Sequence, residues 1–184
     1  GLELGSMYSA TKIGWLQERH RTVADLRVGT VDAWLLDRLT GGTSYACEAG
    51  NAARTLLFSL PDSAWSPALG DLFGIEVAGL PAVRSSLGPW GVVRGVSPAL
   101  DGTPVLAVLG DSHAALYGHW ALAPGSEGIG KVTYGTGSSV MLPVPDPQHR
   151  LAGVGTTLAW AAPDPMWAYE GNILYSGAGM DWLA

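Results

Sequence analysis

The sequence predicts an α/β protein, because short β-prone runs alternate with stretches that carry helical periodicity. A Val- and Leu-rich run at residues 105–109, with Gly-Thr-Pro before it and Gly after it, predicts a buried strand, and helix-compatible residues follow. Residues 131–142 contain two β-prone runs joined by Gly-Thr-Gly-Ser, which is typical of a hairpin. With 47% hydrophobic residues, the chain has enough apolar side chains for a core.

Two helices are predicted near the start of the chain. Residues 7–19 divide into an apolar and a polar face, with Ser9 at the N-cap position. A second helix is expected to begin after Thr30 and to end in a left-handed cap at Gly41 or Gly42. We expect one apolar stripe of this helix to face the core, formed by Val31, Trp34, Leu35 and Leu39.

A third helix is predicted at residues 66–73. Ser66 can cap its N-terminus, and Pro67 occupies the first helical position, where a missing N–H is tolerated. After this helix, Pro81 biases Leu80 toward an extended connection.

Composition excludes several classes of protein. The formal net charge is −6, and no cluster of Lys and Arg offers a surface for nucleic acid. No run approaches the roughly 18 apolar residues that a membrane span requires. The single cysteine, Cys47, cannot form an internal disulfide; it is expected to be a small buried side chain and is typical of a reducing cytoplasm.

Asp111 lies where the predicted strand ends and the next helix begins. In an open α/β sheet ligands bind at this edge, because strand ends and helix N-termini converge there. The carboxylate can therefore cap its own helix or accept a proton from a bound substrate, and the residue alone leaves both roles open. His113 and His119 follow and are expected on the helix surface, with the rim of a pocket as the alternative for His113; their spacing provides no zinc site.

The hairpin turn at Gly135, Thr136 and Gly137 can point several backbone N–H groups at one phosphate, although a plain turn has the same pattern. Two further strands are predicted at residues 155–160 and 166–169, and residues 170–172 are expected to link the second strand to a helix. Small residues at 176–179 open that helix, where free N–H groups would favour an anion; tight helix packing is the alternative.

Together these stretches closely resemble the FGGY carbohydrate kinases, the family of the glycerol kinases. The likeness is carried by Gly-Asp-x-x-Ala-Ala-Leu at residues 110–116 and by Thr-Tyr-Gly-Thr-Gly at residues 133–137. The first helix also matches a family pattern at Ser9, Lys12, Trp15 and Leu16. Glu48 stands where the family has Asp and Ala53 where it has Ser, which we expect to alter local hydrogen bonding more than the fold.

The resemblance implies a ribonuclease H-like, actin-type fold of two domains, present here as a partial chain. Residues 1–123 would be the C-terminal part of the substrate-side domain and residues 124–184 the start of the nucleotide-side domain. A Pro- and Gly-rich connection at residues 121–128 supports a junction there. The chain opens without Met and stops inside a predicted helix, so we expect a piece of a longer protein that is inactive by itself.

The same resemblance implies ATP-dependent phosphorylation of a sugar or polyol hydroxyl, with Asp111 as general base and as a contact of Mg²⁺ through water. Met7, Ser112 and His113 would contact the substrate. Phosphate and nucleotide contacts are assigned to Gly135, Thr136, Gly137, Gly177 and Asp181. The partner is then a small molecule, and a homo-oligomer is left open.

Substrate identity departs from glycerol at two positions. Glycerol kinases have a Tyr where this chain has Met7 and a Gln where it has Ser112. Both changes remove polyol contacts and open space, which favours a larger polyol or a ketose. The alternative function is a truncated or degenerate module for binding or assembly. A serine hydrolase is disfavoured because the sequence has no Gly-x-Ser-x-Gly elbow.

Overall fold

The computed structural model describes residues 4–20, 27–122, 129–146 and 151–183. Helices and strands alternate through them, as the sequence predicts. The helices are α1 Ala10–Arg19, α2 Val31–Leu39, α3 Ala49–Ala53, α4 Pro67–Phe73, α5 Asp111–Ala121 and α6 Gly177–Leu183, with a 3-10 turn at Val77–Gly79. The strands are β1 Ala46–Glu48, β2 Phe58–Ser59, β3 Ala64–Trp65, β4 Ala82–Arg84, β5 Leu87–Val92, β6 Pro104–Ala107, β7 Lys131–Tyr134, β8 Ser138–Val144, β9 Gly155–Ala161 and β10 Pro165–Ile173.

The largest sheet has four antiparallel strands in the order β7, β8, β10, β9. The predicted hairpin is confirmed, because Tyr134 pairs with Ser138 across the turn. Residues 170–172, expected to be a link, belong to β10 instead. Their backbone stays in register with β8 as far as the pair of Ile173 with Ser138, so pairing extends the strand to the start of the next turn.

The strand predicted as buried at residues 105–109 is shorter and more exposed than expected. It is β6, which pairs with β5 in a two-stranded antiparallel ribbon. Val105 packs toward the cluster around Trp90, but Leu106 is 62% exposed. Side chains alternate between faces along a strand, and the described residues cover only one face of this ribbon.

The predicted positions of the first helices agree with the structure, but only one of the predicted serine caps forms a bond. The helix α1 follows Ser9, whose side chain makes no capping hydrogen bond, and α4 follows Ser66, whose Oγ accepts the backbone N–H of Leu69 at 3.3 Å. Beyond α2, Gly41 and Gly42 have φ values of 62° and 81°, a region that glycine enters without a Cβ clash.

The buried face of α2 differs from the predicted one. Val31 is 82% exposed and Trp34 is 60% exposed, whereas Ala33 and Leu36 are buried. The small Ala33 side chain lets the helix pack closely beside β1, so the narrower face contacts the core and the larger stripe points away from the described chain.

Apolar clusters join the two sides of the predicted domain junction. Leu158 of β9 packs with Ala49 and Ala52 of α3, and Leu116 of α5 packs with Met141 of β8. Most of the junction lies outside the described residues, and the division into residues 1–123 and 124–184 stays a prediction. Within the described ranges, no helix has the length and apolar character needed to cross a bilayer.

Candidate active site

A pocket of about 300 Å³ opens where the first turn of α5 faces β8 and β10. Four residues predicted to act on the substrate side line it together: Met7, Asp111, Ser112 and His113. Sequence reasoning assigned no role in the site to several other lining residues, which are Asn51, Arg54, Ser139, Met141, Glu170 and Asn172. The pocket wall therefore combines segments that are distant in sequence.

Asp111 occupies the first helical position of α5, and Gly110 is the N-cap. The expected cap position is thus wrong by one residue. The Asp111 carboxylate is exposed to the pocket, and its Oδ1 accepts the backbone N–H of Ser112 at 2.7 Å. Gly110 also allows a close approach, since a Cβ there would lie 2.9 Å from Asn51 Oδ1. This geometry leaves the other carboxylate oxygen available to a ligand.

Lys131 lies behind Ser112 and was not predicted to take part in the site. Its Nζ donates to Ser112 Oγ at 3.1 Å, and the residue is only 6% exposed. A lysine at the start of a β-prone run carries no periodic signal of burial, so the sequence alone could not identify it.

His113 is buried, with 5% of its surface exposed, so its expected place on the helix surface is wrong. Its Nδ1 is buried without a hydrogen-bond partner among the described residues. Burial, followed by the positive charge of Arg54, lowers the pKa of His113 to about 4, while Glu170 opposes the shift. The imidazole is therefore neutral at pH 7 and lines the pocket as an uncharged polar group.

An ion pair between Arg54 and Glu170 crosses the pocket wall. Both terminal guanidinium nitrogens of Arg54 donate to the Glu170 carboxylate, with 3.3 Å between Nη2 and Oε1. Asn172 Nδ2 adds a bond to the same oxygen at 3.2 Å, and Arg54 lies over the Tyr8 ring. In the sequence, only Glu170 hints at this ion pair, because it is the one carboxylate within the mostly apolar residues 167–173.

Glu48 organises the backbone beside the pocket from a fully buried position. Its Oε2 accepts the N–H of Asn51 at 2.8 Å, and its Oε1 accepts the Ser86 hydroxyl at 2.7 Å. Burial raises the pKa of the Glu48 carboxyl, and the hydrogen bond from Ser86 opposes that shift. The family's Asp is thus replaced by a longer carboxylate that still caps α3.

The turn at residues 135–137 is held by the start of α6. The N–H of Gly177 donates to Gly135 O at 3.0 Å, and those of Ser176 and Ala178 donate to Thr136 O at 3.0 and 3.2 Å. These amides were expected to be free for an anion, but the turn carbonyls already occupy them. Asp181 lies further along α6.

Comparison with known families gives the class of this protein. The family described as "FGGY family of carbohydrate kinases, N-terminal domain" matches residues 1–118. The chain therefore belongs to the FGGY family of carbohydrate kinases, and its fold is the actin-like sugar-kinase fold, present in part, as the sequence predicts.

Individual relatives align with the whole of this chain, but the aligned region is only part of each relative. The apulose kinase of Pectobacterium atrosepticum is 39% identical over 191 residues, and the glycerol kinase of Thermus brockianus is 42% identical over 193 residues. Each alignment spans 100% of this chain and 38% of the relative.

Solved structures also match nearly all of this chain with about a third of their own length. The structure of Plasmodium falciparum glycerol kinase with ADP has a TM-score of 0.89 at 28% identity, covering 100% of this chain and 38% of that one. A xylulose kinase from Rhodospirillum rubrum shares the fold, with a TM-score of 0.75 at 18% identity over 95% of this chain and 36% of its own.

Proposed function

We propose that this chain is part of an ATP-dependent kinase that phosphorylates a hydroxyl of a sugar or polyol, with Asp111 as the general base. The observation that carries the proposal is the pocket in which the Asp111 carboxylate lies exposed beside Met7, Ser112 and His113. Membership of the carbohydrate kinase family supports the reaction type.

Asp111 acts by accepting the proton of the hydroxyl that attacks the γ-phosphoryl group. Phosphoryl transfer needs alignment, neutralised phosphate charge and an acceptor for that proton. The bond from the Ser112 N–H orients one carboxylate oxygen, so the other can face the substrate hydroxyl. General-base help of this kind contributes about 10²–10⁴ in rate.

The phosphate side of the reaction is assigned to the turn formed by Gly135, Thr136 and Gly137. The turn is largely exposed, so its Thr136 hydroxyl and backbone amides can approach a phosphate. Gly177 acts through the turn, because its own N–H is already bonded to Gly135 O. Asp181, on α6, is assigned to the nucleotide side on the family resemblance alone.

Mg²⁺ fits this site as an ion brought in on the nucleotide. Among the residues that the structure describes, no group of three or more His, Cys, Asp or Glu side chains could hold a metal ion. Mg²⁺ keeps several waters and binds through one or two carboxylates plus phosphate oxygens. The exposed carboxylate of Asp111 would contact it through water, and the ion would neutralise phosphoryl charge.

The decisive test is Asp111→Asn in a full-length kinase, meaning a polypeptide that carries these residues together with the other parts of the family fold. We expect kcat to fall by at least about 10² while ATP binding changes little, because the amide cannot accept the proton. Asp71→Asn, an exposed residue on α4, is the matched control. Wild-type kcat in Asp111→Asn would refute the assignment.

The substrate is proposed to be a larger polyol or a ketose. Met7 and Ser112 both line the pocket, where their replacement of a phenol and an amide leaves room. The relatives are named for different substrates, apulose and glycerol, so their names do not decide between these classes. A screen of glycerol, erythritol, xylulose, ribulose and gluconate would rank them by kcat/KM.

A further inference from the structure

We propose that Lys131 is a positioning residue that biases the Ser112 hydroxyl toward donating its hydrogen bond to the substrate, so that the pocket favours a ketose carbonyl oxygen over a hydroxyl at this position. The inference rests on the proposed kinase function and deepens it. It is carried by the contact between Lys131 Nζ and Ser112 Oγ at 3.1 Å, behind the wall of the pocket.

The first step is the chemistry of the lysine. An ammonium group has three donors and no acceptor, so Ser112 Oγ accepts in this bond. Lys131 is 6% exposed, and among the described residues no carboxylate lies within ion-pair distance of its Nζ. A buried ammonium keeps whatever acceptor it has, because losing a charge-assisted hydrogen bond there is costly.

The second step is the direction of the serine hydroxyl. A hydroxyl carries one hydrogen and two lone pairs, and Lys131 occupies one of those lone pairs. The positive charge of the ammonium disfavours a second donor at the other lone pair. Ser112 lines the pocket beside Asp111, so its hydrogen is free to point at a bound molecule. A substrate atom that accepts a hydrogen bond is therefore favoured at Ser112 over one that donates.

The third step compares two kinds of substrate oxygen. A carbonyl oxygen has only acceptor lone pairs, and a donor satisfies it completely. A hydroxyl brings its own hydrogen, which needs another acceptor nearby. The carboxylate of Asp111 lies beside Ser112 in the pocket wall, but its Oδ1 takes the N–H of Ser112 and its other oxygen serves the reacting hydroxyl. A ketose carbonyl needs no such acceptor, whereas the corresponding hydroxyl of a polyol does.

The experiment compares xylulose with xylitol and ribulose with ribitol in the full-length kinase and in Ser112→Ala, Lys131→Met and the double variant. We expect the wild type to prefer each ketose at least tenfold in kcat/KM, and either single substitution to remove most of that preference. The double variant should discriminate no worse than Ser112→Ala alone, because Lys131 acts through that hydroxyl. Lys131→Arg should retain part of the preference.

Ser97→Ala, in the turn between β5 and β6, is the control for the serine. Equal use of ketose and polyol by an active wild-type enzyme would overturn the inference, as would a preference that survives in Ser112→Ala. Additive losses in the double variant would also overturn it. These outcomes leave the kinase function standing, whereas a wild-type enzyme that phosphorylates no sugar or polyol would overturn the proposed function itself. If Lys131→Met fails to fold, Ser112→Ala and Lys131→Arg still decide.

Discussion

At the residue scale, the pocket is governed by charges that are buried beside uncharged polar groups. Burial is the largest influence on the protonation of His113; the cation of Arg54 acts in the same direction, and the carboxylate of Glu170 opposes them. Folding therefore disfavours the imidazolium form. Since the unfolded chain has no such restriction, the stability of the fold depends on pH.

We predict that stability falls as the pH drops from about 6.5 toward 4, and that His113→Asn makes this dependence shallower. The pKa of His113 is lowered to about 4 from its ordinary value of 6.5, so in this window the unfolded state binds a proton that the folded state does not. The full contribution is roughly 3 kcal/mol. Urea unfolding of this chain between pH 4.5 and 7 measures it.

His119→Asn is the control, because His119 is exposed on the same helix. Glu48, whose pKa is raised by burial, gives a slope of opposite sign above its ordinary value, and comparing variants at each pH cancels it. The prediction would be wrong if His113→Asn and His119→Asn showed the same pH dependence.

The sequence predicted which residues line the pocket where those residues belong to a motif. Asp111 and Ser112 lie at the pocket because a strand end and a helix start bring them there. The burial of His113 and Lys131 was not predictable, since it depends on β7 and β8 packing against α5, a contact between distant parts of the chain.

At the element scale, α6 and the hairpin turn support each other. A Cβ on Gly177 would lie 2.4 Å from Gly135 O and 3.1 Å from Gly135 C, both of which are backbone atoms that cannot rotate away. The glycine is therefore required by the close approach of the helix to the turn. Hydrogen bonds from three successive amides then fix the turn in place.

We predict that Gly177→Ala destabilises the chain by about 1–3 kcal/mol, because the methyl group must push the turn away. In the full-length kinase it should also raise the KM for ATP. Gly179→Ala is a matched control on the same helix, since a Cβ there meets no heavy atom within 4 Å. Equal urea midpoints for the two variants would contradict the prediction.

The prediction of the elements succeeded where the local signal is strong, as in the caps at Ser66 and Gly41 and in the hairpin. It failed for the buried face of α2, because periodicity identifies an apolar stripe but not the partner that the stripe meets. The exposed Trp34 and the buried Ala33 show that the shape of β1, which is non-local, decides which face packs.

At the scale of the whole molecule, the chain has a pocket but spans only 38% of the relatives that it matches. We predict that the isolated 184-residue chain shows no ATP-dependent phosphorylation of any polyol or ketose, because much of the nucleotide site would lie elsewhere in the family fold. A coupled ADP-release assay checks this. Turnover by the purified chain would refute it, whereas a full-length kinase that is also inactive would favour the alternative of a binding or assembly module.

The fold class could be predicted for the whole chain from two motifs and the alternation of elements. The close packing between the first 121 residues and the four-stranded sheet could not be predicted. Leu158 and Met141 of that sheet belong to apolar clusters that also contain residues from the first part of the chain. Sequence patterns report local periodicity, and these contacts are long-range.

The bridge between Arg54 and Glu170 ties together positions 116 residues apart. If β10 moved away from α3, the largely buried carboxylate of Glu170 would lose the positive charge of Arg54, which is costly. This ion pair therefore resists separation of α3 from β10 at the wall of the pocket.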